Sequence, residues 1–273
     1  MLFPAMPSHE SMILSNSMRE SPNSSAPVHL TFLGTGDAFA SHGRFQSGYL
    51  VETDGCHILM EAGPTVLCAM KRMRVAPADI DIILISHLHG DHFGGLPFLV
   101  LEYLWESPRS KPLTIAGPAH LEERTWRLFN TMFPFSSGDV ERVRRNLEFV
   151  ELEPARDARF GKVEVKSLRV PHMKRDLCLA LKIAIGGKTI VFSGDTGWAD
   201  DLVSFTAGAD LFLCECTYFE NPLGVHLSYP LLESKRRNFN VKRMMLTHLG
   251  REVLEHNSQL KMELATDGMK IEV

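Results

Sequence analysis

The chain has 273 residues and is 44% hydrophobic and 23% charged, enough apolar material for one large domain at ordinary charge content. Its net charge of -4 excludes the bulk basic surplus that marks nucleic-acid binders, although 29 Lys and Arg leave room for a local patch. No apolar run reaches the roughly 18 residues of a membrane span, and five cysteines without scaffold spacing exclude a disulfide framework.

Residues 1–26 are rich in Ser, Pro, Asn and Met and lack the basic and apolar regions of a signal peptide. They read as a disordered tail ahead of a folded domain over 27–273. With reduced thiols, that reading gives a cytoplasmic protein with no membrane partner. Val28 to Leu33 is expected to form a strand, ended by the turn Gly34-Thr35-Gly36-Asp37. Ser47–Thr53 and His57–Met60 follow as strands around Asp54-Gly55, a two-residue hairpin signal. Pro64 opens a helix to about Met73.

Ile80 to Ile85 is a continuous apolar run, the pattern of a strand buried on both faces. A helix is expected over Phe93–Trp105, a strand over Leu113–Ala116 and a helix over Pro118–Met132. Strands are expected at 147–152, 163–169, 177–185 and 188–193, the last two turned at Gly186-Gly187. Helices near 198–206, 229–239 and 250–257 alternate with strands at 210–215 and 241–246, and Met269–Val273 reads as an edge strand. Hairpins lead and strand–helix alternation follows in both halves. That order predicts two mixed sheets packed face to face with helices outside.

The chemistry concentrates at Ser86-His87-Leu88-His89-Gly90-Asp91-His92, directly after the apolar strand. Four imidazole or carboxylate groups in six residues suit zinc, manganese or iron, and a glycine-containing loop can turn them toward one point. A solvated polar loop accounts poorly for such a cluster at the end of so apolar a strand. His172, Asp195 and His248 also follow strand-like runs. Alone, His172 reads as a surface histidine and Asp195 as a helix cap before Trp198. Together they can meet the first cluster at one rim. Cys214 and Cys216 are too close for a metal knuckle and read as apolar strand residues.

On these residues the chain resembles the metallo-β-lactamase fold superfamily, whose motif is H-x-H-x-D-H. The segments LGTGDAF, EAGPT, ISHLHGDHFGG, VPH, FSGDT and LTHLG occur in the family's order from Val28 to about His256. Within it the chain is most similar to the ribonuclease Z-like and phosphodiesterase-like branch. The resemblance implies an α/β protein, an αβ/βα four-layer sandwich of two mixed β-sheets with outer helices. It assigns His87, His89 and His172 to one metal, Asp91, His92 and His248 to a second, and Asp195 to both. The implied cofactor is two divalent ions, zinc first and manganese or iron as alternatives. Glu61 stands where the family usually has the Asp that orients ligands.

The same resemblance implies a metal-dependent hydrolase in which an ionised water attacks a small phosphodiester. Asp91 would both bind metal and accept a hydrogen bond from that water. Glu215 and His226 look like the branch's proton-donating pair, although Cys214 sits where the branch usually has His. A small-molecule substrate is expected and transfer RNA is not, because no Gly- and Pro-rich basic insertion lies in 118–153 or 195–210. A homodimer is the assembly the family suggests. A lactone or sulfate-ester hydrolase is the alternative, and a non-hydrolytic metal or redox protein a third reading. In the loop Ala38 to Gln46, His42 and Arg44 can meet an anionic substrate or simply face solvent. Phe93, Phe98, Trp105 and Phe129, at helical spacing, read as core.

Overall fold

A computed structural model describes residues 27–53, 55–220 and 224–273. The expected tail and Asp54 of the first hairpin lie outside the described residues. The first half runs β1 (His29–Gly34), β2 (Gly48–Thr53), β3 (Cys56–Met60), α1 (Val66–Arg72), β4 (Ile82–Leu84), α2 (Gly90–Phe93), α3 (Leu96–Trp105), β5 (Leu113–Gly117), α4 (Leu121–Met132), α5 (Ser137–Arg144) and β6 (Leu147–Glu151). The second runs β7 (Ala158–Phe160), β8 (Val163–Arg169), β9 (Leu179–Ile185), β10 (Lys188–Phe192), α6 (Asp200–Thr206), β11 (Leu211–Glu215), α7 (Tyr229–Lys235), β12 (Arg243–Thr247), α8 (Arg251–Glu255) and β13 (Glu263–Leu264). The last strand, β14 (Lys270–Glu272), returns to the first sheet.

The two seven-stranded sheets have the orders β14-β1-β2-β3-β4-β5-β6 and β13-β12-β11-β10-β9-β8-β7. In each, antiparallel hairpins pass into parallel strands: β3, β4, β5 and β6 in one, β10, β11, β12 and β13 in the other. Parallel pairing needs crossover helices, which coat the outer faces. This is the four-layer sandwich expected from the alternation.

Strand β4 explains its own apolar run. Ile82 and Leu84 enter the core between the sheets, while Ile83 enters the core under the helices. Each such side chain contributes about 1.5–3 kcal/mol by leaving water. On β8 only the inner face is covered, so buried Val163 and Val165 alternate with exposed Glu164 and Lys166. The hairpin between β9 and β10 turns on Gly186 and Gly187, both at positive φ (57° and 74°).

Some expectations needed adjusting. The helix expected from Phe93 is two helices, because α2 already starts at Gly90 and the chain breaks at Gly94-Gly95. The break lets two backbones touch. A Cβ on Gly95 would lie 2.2 Å from the Gly63 carbonyl oxygen, and one on Gly63 would lie 2.5 Å from that of Asp91. The segments α5, β7 and β13 gave no usable periodicity. Helix α5 is exposed on most of its turns and is marked by its cap, Ser136, whose hydroxyl accepts the Asp139 N–H.

Phe93 and Phe129 are buried as expected and Phe98 is half-buried, but Trp105 is 50% exposed at the end of α3. It lies edge-on to Phe135 at 5.9 Å, with the Arg142 guanidinium 5.0 Å above its ring. The face that α3 buries is Leu96, Leu99, Val100, Tyr103 and Leu104, and Trp105 falls off that stripe. All five cysteines are free, with Cys214 and Cys216 buried in the outer core of the second sheet. Among the described residues, no helix is long and apolar enough to cross a membrane.

Candidate metal centre and active site

The parallel strands deliver their carboxyl ends to one rim, where ligand-binding loops of α/β sheets gather. The segment after β4 carries His87 and His89. Helix α2 turns Asp91 and His92 inward. The segments after β8, β10 and β12 bring His172, Asp195 and His248. Their donor atoms form two sets, each within 4.8 Å: His87, His89, His172 and Asp195, and Asp91, His92, Asp195 and His248. Asp195 is common to both. Its Oδ2 lies 3.7 Å from His87 Nε2, 3.8 Å from His172 Nε2 and 3.4 Å from His248 Nε2. All seven residues singled out in the sequence are therefore brought together.

Neighbouring groups fix how each ring is turned. The Val225 carbonyl accepts from His172 Nδ1 at 2.9 Å, which aims His172 Nε2 at His89 Nδ1, 3.1 Å away. His92 Nδ1 donates to Glu61 Oε2 at 2.8 Å, so its Nε2 faces Asp91 Oδ2 at 3.2 Å. The Thr217 hydroxyl meets His248 Nδ1 at 2.9 Å, and His248 Nε2 lies 3.1 Å from Asp91 Oδ2. Ser86 Oγ stands 3.0 Å from His87 Nδ1. Such outer partners fix the tautomer and direct the other ring nitrogen inward.

The donor set fits divalent cations. His87 Nε2 and Asp195 Oδ1 are buried without a hydrogen-bond partner, a costly state for polar atoms unless a cation completes it. Burial, reinforced by neighbouring imidazoles, holds His87 well below its ordinary pKa and lowers that of His89, so both present lone pairs. Burial opposes charge on Asp195 and Asp91 too, but the imidazoles override it and both stay ionised. Burial likewise opposes charge on His248, yet Asp195 and Asp91 push it up to about 9; the same carboxylates raise His92.

The backbone is distorted here as well. Glu61 (φ 63°) and His248 (φ 52°) adopt the left-handed conformation without being glycine. Glu61 is fully buried, accepts the Ser86 N–H at 2.8 Å, and has its pKa raised first by burial. It thus occupies the orienting position that the sequence suggested for it.

A sequence model of the family described as Anti-Pycsar protein Apyc1 matches residues 28–270, nearly the whole described chain. The chain belongs to that family. It is also similar to ribonuclease Z of Clostridium novyi, at 26% identity over 277 residues, covering 82% of this chain and 89% of that protein. Human tRNase Z, short form (ELAC1), superimposes with a TM-score of 0.70 at 25% identity, over 89% of this chain and 98% of that one. The metallo-β-lactamase fold protein YhfI from Bacillus subtilis gives 0.70 at 22% identity, over 91% and 100%. The fold is the metallo-β-lactamase fold, in its ribonuclease Z-like branch, and the chain is a metal-dependent hydrolase.

These relatives correct one expectation. Transfer RNA was set aside for want of a basic insertion and because of the negative net charge. Ribonuclease Z sequences nevertheless align along most of this chain. Net charge averages over a whole surface, whereas phosphate contacts need only a local patch. Arg236, Arg237, Lys242, Arg243 and Lys261 gather around one surface cavity, although Lys242, Arg243 and Lys261 pair there with Asp210, Glu263 and Glu233. Transfer RNA therefore stays among the candidate substrates.

Glu215 and His226 also reach the site. Glu215 is fully buried at the end of β11, and its Oε1 accepts from His226 Nδ1 at 2.8 Å. The Thr196 N–H (2.9 Å) and the Thr217 hydroxyl (3.0 Å) complete its shell. Burial opposes charge on His226, but the Glu215 carboxylate prevails and raises its pKa. With His89, Asp91, His172, Asp195 and His248, His226 lines a cavity of about 310 Å³.

Other candidates are not brought there. Arg44 turns away, donating to the Thr35 hydroxyl (2.6 Å) and the Ala265 carbonyl (2.8 Å). His42 forms part of a tight turn outside the cavity lining. Sequence reasoning missed Thr217, whose hydroxyl touches Glu215, His226 and His248 at once. Its only signal was adjacency to Glu215. Phe39 and Tyr218 on the cavity wall were also missed.

Proposed function

We propose that the protein is a dinuclear metal-dependent phosphodiesterase. In this reading His87, His89 and His172 would hold one ion and Asp91, His92 and His248 the other, with Asp195 available to both. The observation that carries it is the pair of donor sets sharing one carboxylate. Two divalent ions held there supply Lewis acidity, lowering the pKa of a water and drawing charge from a phosphoryl oxygen. Zinc suits the histidine-rich sets, with manganese or iron as alternatives.

The chain's own groups have distinct tasks. Asp91 accepts a hydrogen bond from the attacking water and orients it in line with the phosphorus. Glu215 fixes His226 through Nδ1 and favours its charged form, so His226 delivers a proton to the departing oxygen. Supporting a phosphoryl rather than a carbonyl substrate is this dedicated acid, which a strained lactone needs less. The small cavity suits a small phosphodiester, cyclic or nucleotide-like. The similarity to ribonuclease Z favours a second reading, cleavage of a phosphodiester within a transfer RNA precursor.

The deciding experiment is hydrolysis of bis(p-nitrophenyl) phosphate by metal-stripped protein, then by protein reloaded with zinc or manganese. Turnover restored in step with two bound ions per chain is the expected result. Two bound ions without turnover would transfer the site to lactones or sulfate esters. Parallel assays on cyclic nucleotides and a transfer RNA precursor separate the two substrate readings.

A further inference from the structure

Two cavities meet beside the donor cluster. The inner one contains the histidines and carboxylates described above. The outer one, about 250 Å³, is lined by Ser41, Gly250, Arg251 and Glu252. Asp37, Phe39, Thr217 and Tyr218 line both and form the partition between them.

Phe39 is the anomaly of this wall. It is 83% exposed, whereas the other apolar side chains of the same cavity wall, Met173, Tyr218 and Val225, are half-buried. The other strongly exposed apolar residues, Trp105, Met132 and Phe135, belong to α3, α4 and the segment after α4, away from this wall. The loop that carries Phe39 is firmly built. The Asp37 carboxylate accepts the Ser41 N–H at 3.0 Å and the Ser41 hydroxyl at 2.9 Å. The Asp37 carbonyl accepts the Ala40 N–H at 3.1 Å. Ala40 (φ 51°) and His42 (φ 54°) are held left-handed, a conformation that non-glycine residues rarely adopt.

Opposite, Tyr218 is braced by a bridge to Ser228 and by an edge contact with the His226 ring at 5.6 Å. A fixed loop thus presents a bare aromatic face at the exit from the reacting centre. Arg251 and Glu252 stand beyond it as a hydrogen-bond donor and acceptor.

We propose that the outer cavity is a subsite for a flat aromatic group on the phosphodiester, by class a nucleobase, stacked on Phe39. This rests on the phosphodiesterase reading. The phosphoryl group lies among the metal donors, and the organic arm that is not expelled passes between Phe39 and Tyr218. Stacking on an aromatic face tolerates any base, because each has a π-surface. Arg251 and Glu252 face the polar edge that an unsubstituted phenyl ring lacks.

The test compares two diesters with the same leaving group, the p-nitrophenyl ester of thymidine 5′-monophosphate and methyl p-nitrophenyl phosphate. Metal-loaded wild type, Phe39→Ala, Phe39→Trp and Trp105→Ala are assayed on both. The expected result is that Phe39→Ala lowers the thymidine-to-methyl ratio of kcat/KM about tenfold, mainly through KM. Phe39→Trp restores the ratio and Trp105→Ala leaves it as in wild type. Equal losses on both esters overturn the subsite while leaving the phosphodiesterase reading intact. Wild type inactive on both esters overturns that reading instead. The subsite is then judged by equilibrium binding of thymidine 5′-monophosphate against methyl phosphate. About tenfold selective weakening by Phe39→Ala supports it, and equal affinities in wild type overturn it.

Discussion

The sandwich has two ends, and the larger cavity lies at the one without the metal donors. That far cavity, about 810 Å³, opens among the hairpin turns at Gly55, Gly161 and Gly186 and the starts of β4 and β5. Among the described residues, no histidine lines it. Its turns reach positive φ on glycines, where that conformation carries little strain. At the rim the same conformation falls on Ala40, His42, Glu61 and His248, and polar atoms of His87 and Asp195 are buried unpaired. Size therefore does not locate the chemistry in this molecule. Neither backbone strain nor an unmet polar group does so alone, since Arg74 is also left-handed and Arg109 Nε is also buried without a hydrogen-bond partner; their coincidence with converging imidazoles and carboxylates does.

If that contrast is functional, damage at the rim is read in turnover and damage at the far end in stability. The largest effect is expected for Asp195→Ala, which removes the one carboxylate common to both donor sets. Activity on a phosphodiester should fall by about 10³-fold or more, the scale on which charge at a reacting centre acts. Metal analysis should show fewer than two ions per chain. Retained turnover with full metal content would remove the bridging role.

Next comes His226→Ala. General acid catalysis contributes about 10²–10⁴-fold, and more when the leaving group is a poor one. The variant should lose about 10²-fold on an alkyl diester and only a few-fold on a p-nitrophenyl diester. Equal losses on both would leave the 2.8 Å contact with Glu215 a structural one.

Glu61→Ala tests the orienting shell. Alanine at φ 63° keeps a side chain in the same strained conformation, so the variant removes chiefly the carboxylate that holds His92 and the Ser86 N–H. Metal affinity should fall about 10–100-fold, as is usual when such a partner is lost. A titration of metal-stripped protein reads this directly, and unchanged affinity would make Glu61 a packing residue.

Much of this was legible in the sequence. Apolar runs such as Ile82-Ile83-Leu84 gave strands covered on both faces, and His87, His172, Asp195 and His248 each sat one to three residues past a strand, with His89, Asp91 and His92 following His87 in the same loop and short helix. The topology then had only one rim at which to collect them. What stayed hidden depends on tertiary context. Thr217 is an unremarkable residue until three side chains converge on its hydroxyl. Arg44 looks like an anion ligand until Thr35 and the Ala265 carbonyl claim it. Trp105 is spaced like a core residue from Phe98, but the stripe that α3 buries runs through Leu96, Leu99, Val100, Tyr103 and Leu104 and leaves Trp105 off it.

The smallest effect on turnover is expected at the far end, for Gly161→Ala. Gly161 sits at φ 59° in the turn between β7 and β8, and an added Cβ would meet nothing within 4 Å. The substitution therefore isolates backbone strain from any clash. It should cost about 1–2 kcal/mol, the penalty of a left-handed non-glycine residue. For a domain of this size that lowers the melting temperature by roughly 2–8 °C. Because this turn is remote from the donor cluster, kcat/KM should stay within about twofold of wild type at temperatures well below unfolding. A loss of turnover comparable to that of Glu61→Ala would mean that the two ends are energetically coupled. The large far cavity would then have to be counted as part of the working enzyme.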